Sequence, residues 1–159
     1  MQNASLSDIK KELQSLTKDE LIDLSIRLAK YKKENKELLN YLLFQSFNED
    51  AFILIVKEEI ELMFSEIKNI NSHPGKKSIR KILRTTNKYI KYSGKSTTLI
   101  QLLLFYCTQL KATKLRFNDS VAIANLYMNQ LKKVQKALSK MHEDFQFDYQ
   151  TEIENLEKI

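Results

Sequence analysis

The sequence predicts an all-α fold, and three observations carry that expectation. The 159 residues include 2 Gly and 1 Pro, too few for the turns of a β-sandwich or barrel or for the glycine-rich phosphate loop of an α/β nucleotide fold. Apolar residues recur at three- and four-residue spacing through nearly every segment. Between those segments stand helix-start signals, Ser, Thr or Asn followed by acidic residues. With 43% hydrophobic and 29% charged residues, the balance is that of a globular chain able to bury a core without staples.

Taken in order, Ser5 and Ser7 cap a short first helix to about Leu16, with Leu6, Ile9, Leu13 and Leu16 on one face. Thr17-Lys18-Asp19-Glu20 is a capping box, in which hydroxyl and carboxylate each satisfy the other residue's amide. The second helix carries Leu21, Leu24, Leu28 and Tyr31 on one face. Asn35 marks a break, with a third helix from about Lys36 to Ser46, the alternative being one continuous helix. Asn48, followed by Glu49 and Asp50 at the positive helix end, starts a fourth that extends to about Ile70. Ala51 through Val56 is apolar on every side, which predicts burial all round. Asn71-Ser72-His73-Pro74-Gly75 is the clearest loop. A fifth helix covers about Lys76 to Tyr92, closed by Ser93-Gly94 as a left-handed cap. Ser96 or Thr97 caps a sixth, to about Leu115, whose apolar character marks it as the central core helix. Asn118-Asp119-Ser120 opens a seventh, with Val121, Ala124, Met128, Leu131 and Leu138 inward. A last helix holds Tyr149, Ile153 and Leu156, with a break near Asp148.

Seven or eight helices in antiparallel hairpins follow, as a short HEAT- or armadillo-like stack or as an irregular bundle. The hairpin starts at Asn48 and Ser96 lie near the pitch of about 40–47 residues of such repeats. Residues 1–159 are expected to form one helical domain: N-terminal helices over 1–47, two core hairpins over 48–142 and a C-terminal helix over 143–159.

Charge is the strongest signal that is not structural. Residues 1–66 hold 9 Lys/Arg and 13 Asp/Glu, residues 67–118 hold 12 Lys/Arg and no carboxylate, and residues 119–159 hold 5 and 7. On a helical wheel the fifth helix gathers Ile79, Ile82, Leu83, Thr86 and Ile90 within roughly 60° of one another's centre. Lys77, Arg80, Lys81, Arg84, Lys88 and Lys91 occupy the opposite side, Tyr92 borders them and Lys95 continues the line. The result is a cationic ridge about 20 Å long. Such a ridge suits phosphate backbones, with binding that is steeply salt-dependent, and Tyr89 and Tyr92 can stack on bases if exposed. With 4 Arg against 22 Lys among the cations, base-specific reading is not expected. Two other readings stay open: docking to an acidic protein, and a solvated face compensated by Glu58, Glu59, Glu61 and Glu66 across the hairpin. A membrane-surface role conflicts with the need of this helix's apolar face for the core.

Other chemistries lack their residues. His73 and His142 stand far apart, no Cys/His cluster has zinc spacing, and neither histidine follows a glutamate by three. Cys107 lies in an apolar run, where a thiol is an inert hydrophobe, and a lone cysteine suits a reducing compartment. The pairs Glu58/Glu61, Asp19/Asp23 and Asp144/Asp148 read as solvated faces. No metal, cofactor or catalytic constellation is expected. Met1-Gln2-Asn3-Ala4-Ser5 has no secretory character, and Leu99 to Cys107 is too short to span a bilayer, so a cytoplasmic protein is expected.

The run Leu13 to Ile22, with Leu28-Ala29-Lys30-Tyr31, Lys36-Glu37-Leu38-Leu39 and Tyr41-Leu42-Leu43, resembles a group of small, uncharacterised bacterial helical proteins. The resemblance covers the N-terminal third and implies an all-helical fold, with no activity or ligand. The first two helices also faintly resemble a SAP-type DNA-binding pair, but Leu16-Thr17-Lys18 is too short for that motif's glycine-containing basic loop. The expected function is non-catalytic: a binding or scaffold protein using the basic helix, for a protein partner or, alternatively, for nucleic acid without sequence choice.

Overall fold

The computed structural model describes residues 4–158. It is all-α: among the described residues there are eight α-helices, one π turn, one 3-10 turn and no strand. The helices are α1 (Leu6–Ser15), α2 (Lys18–Tyr31), α3 (Lys33–Asn40), α4 (Glu49–Ser65), α5 (His73–Ser93), α6 (Ser96–Ala112), α7 (Val121–Leu138) and α8 (Glu143–Glu157). The chain divides into two compact units, one through Phe44 and one from Gln45 onward.

In the N-terminal unit α1 and α2 start on complete capping boxes. The Thr17 amide donates to Glu20 Oε2 at 2.7 Å and the Glu20 amide returns a bond to Thr17 Oγ1 at 3.3 Å. Ser5 and Asp8 do the same for α1. The expected break at Asn35 falls earlier, at the extended residue Lys32. Asn35 lies inside α3 and donates its side-chain amide to the Leu28 carbonyl at 2.8 Å, satisfying a carbonyl that the end of α2 leaves open. The third helix ends at Asn40 rather than Ser46 and passes into a π turn, Tyr41–Gln45.

The second unit is built round α6. This helix packs against α4, α5, α7 and α8 and buries eight side chains, as its apolar sequence predicts. α4 packs mainly against α5 and α6 and buries Phe52, Ile53, Val56, Ile60 and Phe64, while Leu54 and Ile55 are 58% and 53% exposed. All-round burial of residues 51–56 is thus incorrect: α4 is peripheral, and the flank of Leu54 and Ile55 is exposed.

α4 stops at Ser65, short of Ile70. Ser65 Oγ bonds the Leu62 carbonyl, and Ser72 Oγ the Asn69 carbonyl. Short polar side chains compete with the backbone for the helical acceptors in this stretch. The expected loop 71–75 is half helix. Ser72 Oγ accepts from the Gly75 amide at 3.1 Å, and Pro74 sits in the first turn of α5, where no amide is required. Gly75 is obligatory for a packing reason, since a Cβ there would meet the Asn69 oxygen at 2.2 Å and the Ile70 oxygen at 2.8 Å. Gly94 closes α5 at φ 67°, as expected, its amide bonding the Ile90 carbonyl at 2.9 Å.

Neither Ser96 nor Thr97 caps α6. Lys95 holds that position without a side-chain bond, and α6 ends at Ala112 rather than Leu115. A 3-10 turn, Phe117–Asp119, precedes α7. Ile123, Tyr127, Gln130, Leu131, Val134 and Leu138 point inward, whereas Val121, expected inside, is 73% exposed. Phe117 packs on Tyr127 with ring centres 5.1 Å apart. The break that separates the last helix from α7 falls at residues 139–142 rather than near Asp148, which lies inside α8. Ile153 and Leu156 are buried, and Tyr127 donates to the Leu156 carbonyl at 2.8 Å. Lys111 holds the C-terminal end of α8 through the Asn155 and Lys158 carbonyls, a cation where the helix dipole is negative.

Candidate anion-binding surface

α5 positions the site because its two faces differ in kind. Ile79, Ile82, Leu83, Thr86 and Ile90 are all buried, the five residues that the wheel places inward. Thr86 Oγ1 donates to the Ile82 carbonyl at 3.0 Å, which lets a hydroxyl sit in the core. Ile79 anchors the helix to α6, its carbonyl accepting from Tyr106 at 3.2 Å.

On the outer face Lys77, Arg80, Lys81, Arg84 and Lys91 are exposed. Among the described residues none of these five has a carboxylate oxygen within 4 Å. Arg80 reaches only the Lys76 carbonyl of its own helix, at 3.4 Å. They define a line of cations spanning about 20 Å by the helical rise of 1.5 Å per residue.

The C-terminal end of the ridge differs from the expectation. Lys88 is half-buried, its ammonium 4.5 Å from the Tyr89 ring centre and 5.8 Å from that of Tyr92. The two rings meet edge to face at 5.9 Å, and Tyr89 donates to Glu59 Oε2 at 2.7 Å. Tyr89 therefore serves the packing of α5 on α4, Tyr92 packs on Tyr89, and neither is a free platform for bases. Lys95 pairs with Glu49 Oε2 at 2.8 Å. Glu49 Oε1 also accepts from Ser93 and Thr98, each at 2.5 Å. One carboxylate at the start of α4 thus ties together the end of α5, the link and the first turn of α6.

Of the four glutamates expected to neutralise the ridge, Glu59 alone bonds α5, and through a tyrosine rather than a cation. Glu49 was legible only as an acidic residue at a helix start, since nothing local signals its partners 44 to 49 positions away.

The remaining candidate groups are dispersed. Cys107 is buried and free, and burial pushes its thiol up to about 12, so it is not a nucleophile near neutral pH. Burial likewise raises the Tyr106 and Tyr127 hydroxyls. His73 opens α5, and His142 Nδ1 accepts from the Asp144 amide at 3.4 Å at the start of α8. No group of three or more His, Cys, Asp or Glu among the described residues is placed to hold a metal ion. None of the described helices is long and apolar enough to cross a membrane.

Fold and surface together define an all-α protein with one strongly cationic helix face. No family model matches the chain, and neither a curated protein nor a solved structure matches it.

Proposed function

We infer that the chain is a non-catalytic binding module that engages an anionic partner through α5. The observation that supports this reading is the set Lys77, Arg80, Lys81, Arg84 and Lys91, exposed in one line with no carboxylate within 4 Å. Five like charges held together on a rigid helix raise the local potential and attract a complementary surface. Tyr92, Lys88 and Lys95 act as structural supports at the end of this surface rather than as contacts.

Nucleic acid is the more specific reading, favoured by the straight spacing of the cations along one helix. Contacts would fall on phosphates, because the neighbouring tyrosines are engaged and lysine dominates the ridge. A cytoplasmic setting fits the lone, buried Cys107.

Fluorescence anisotropy of labelled single- and double-stranded oligonucleotides, against labelled polyglutamate, tests both readings. Five phosphate contacts give a slope of log K on log salt of about −4. The triple substitution Lys77→Glu, Lys81→Glu, Arg84→Glu is expected to abolish this binding while leaving helicity intact. Binding of polyglutamate alone would favour an acidic protein partner. Absence of binding to either probe at low salt would refute the reading.

A further inference from the structure

The N-terminal unit carries an apolar surface that its own helices leave open. No residue of α1, α2 or α3 is buried. Yet eleven of the eighteen exposed large apolar side chains among the described residues lie between Leu6 and Phe44. On α2, Leu28 borders an apolar groove toward α3, shared with Leu38, Leu39 and Leu42. Ile22 and Ile26, 49% and 46% exposed, occupy a different flank of α2. At roughly 150–250 Å² for a large side chain, the eleven expose on the order of 1,000 Å². That total is spread over α1, several flanks of α2 and the turn after α3, and the flank of Ile22 and Ile26 is the part that carries charged neighbours of both signs.

Charge indicates the occupant. α2 carries Asp19, Glu20 and Asp23 in its first half and Arg27 and Lys30 in its second, with Lys18 at its first position as the exception. Asp19, Asp23, Arg27 and Lys30 make no ion pair among the described residues. A second α2 laid antiparallel across a two-fold axis sets acidic half against basic half twice, with Ile22 and Ile26 of both copies at the centre. A parallel pairing would oppose like charges. Residues 1–44 hold 8 Lys/Arg and 7 Asp/Glu, so two copies approach without net repulsion, and a polyanion finds no positive field there.

We propose that the N-terminal unit is a self-association module: two copies of this chain pair through antiparallel α2 helices, burying Ile22 and Ile26 in a closed two-fold dimer. Two binding ridges would then be carried by one assembly, which raises avidity for an extended anionic partner without any new contact.

Sedimentation equilibrium of the full chain at low salt, up to about 100 µM, well above the Kd of standard-size interfaces, tests the pairing. The wild type is expected to be a dimer. One variant chain carries Asp19→Lys and Asp23→Lys, another Arg27→Glu and Lys30→Glu. Each alone is expected to self-associate at least tenfold more weakly, and an equimolar mixture of the two restores the dimer. Ile22→Glu with Ile26→Glu also dissociates it, whereas Leu54→Glu with Leu62→Glu on α4 does not. Circular dichroism confirms that each variant keeps its helices. A monomeric wild type overturns the proposal, and so does a dimer that both charge-reversed chains retain or that only the α4 variant loses.

Discussion

α6 buries eight side chains, whereas α1, α2 and α3 together bury none. Composition accounts for part of the difference: α6 holds one charged side chain in 17 residues, whereas α1, α2 and α3 are charged throughout. Neighbours account for the rest. α6 is surrounded by four helices, while α2 meets α3 along one side. Helix formation and core formation are separable, and the caps show it. α1 and α2 begin with full capping boxes although they bury nothing, whereas the core helix α6 begins with no side-chain cap at all. α6 shows that packing can hold a helix without a side-chain cap at its start. Where packing is thin, stability comes from caps and side-chain pairs of about a kilocalorie or less each.

The comparison can be broken most directly at its two extremes. Leu103 is fully buried on α6, and Leu103→Ala is expected to cost about 2–5 kcal/mol in urea denaturation. Leu24→Ala on α2 should change stability by less than about 1 kcal/mol when measured at high dilution. Equal costs would show that the N-terminal unit has a core after all.

The two glycines of the second unit sharpen the point next. Gly75→Ala drives a methyl into the backbone of residues 69 and 70 and is expected to cost more than about 2 kcal/mol. Gly94→Ala has open space round it and suffers only its positive φ, a cost of about 1 kcal/mol. Reversal of that order, read by thermal unfolding, would mean that the start of α5 relaxes more readily than its packing suggests.

Cys107 offers a probe of the core without mutation. Its thiol, raised to about 12 by burial, should react with a disulfide reagent at pH 8 only as fast as the second unit opens. Labelling at the rate of a free thiol would place it outside the core.

The smallest effect belongs to α2. Glu20 is held below its ordinary value by the hydrogen bonds from the Thr17 amide and hydroxyl. A depressed folded value means that this bond stabilises α2 above the ordinary glutamate range and is lost as pH falls through the lowered value. Helical amide shifts of α2 should therefore weaken on acidification and be insensitive to pH in a Glu20→Gln chain.

Much of this was legible because it depends on residues within four positions of one another. The Thr17 box, the Gly94 cap and the two faces of α5 are of that kind. The centrality of α6 was legible because it is apolar on every side. What escaped depends on distant partners. Leu54 and Ile55 look like core until α4 is seen to be peripheral, with their flank exposed. Val121 faces outward because it lies about 200° round α7 from Ile123, and the buried face centres on Ile123, Tyr127, Val134 and Leu138. Pro74 and Gly75 read as a loop, although each also suits a first helical turn that packs on backbone. Within the candidate site, the five outermost cations stand where the wheel puts them. The roles of Lys95, Tyr89 and Tyr92 escaped because Glu49 and Glu59 lie on another helix.

The account rests on charge and apolar surface being assigned to different regions: an anion-binding ridge on α5 and a charge-balanced pairing surface on α2. Amide chemical shifts of the isotopically labelled full chain, followed as a short single-stranded oligonucleotide is added at low salt, test this assignment residue by residue. The expected result is a set of shifts concentrated between Lys77 and Lys91 that vanishes at high salt and leaves residues 18–31 unmoved. Shifts centred on α2, or spread evenly over every lysine in the chain, would contradict it.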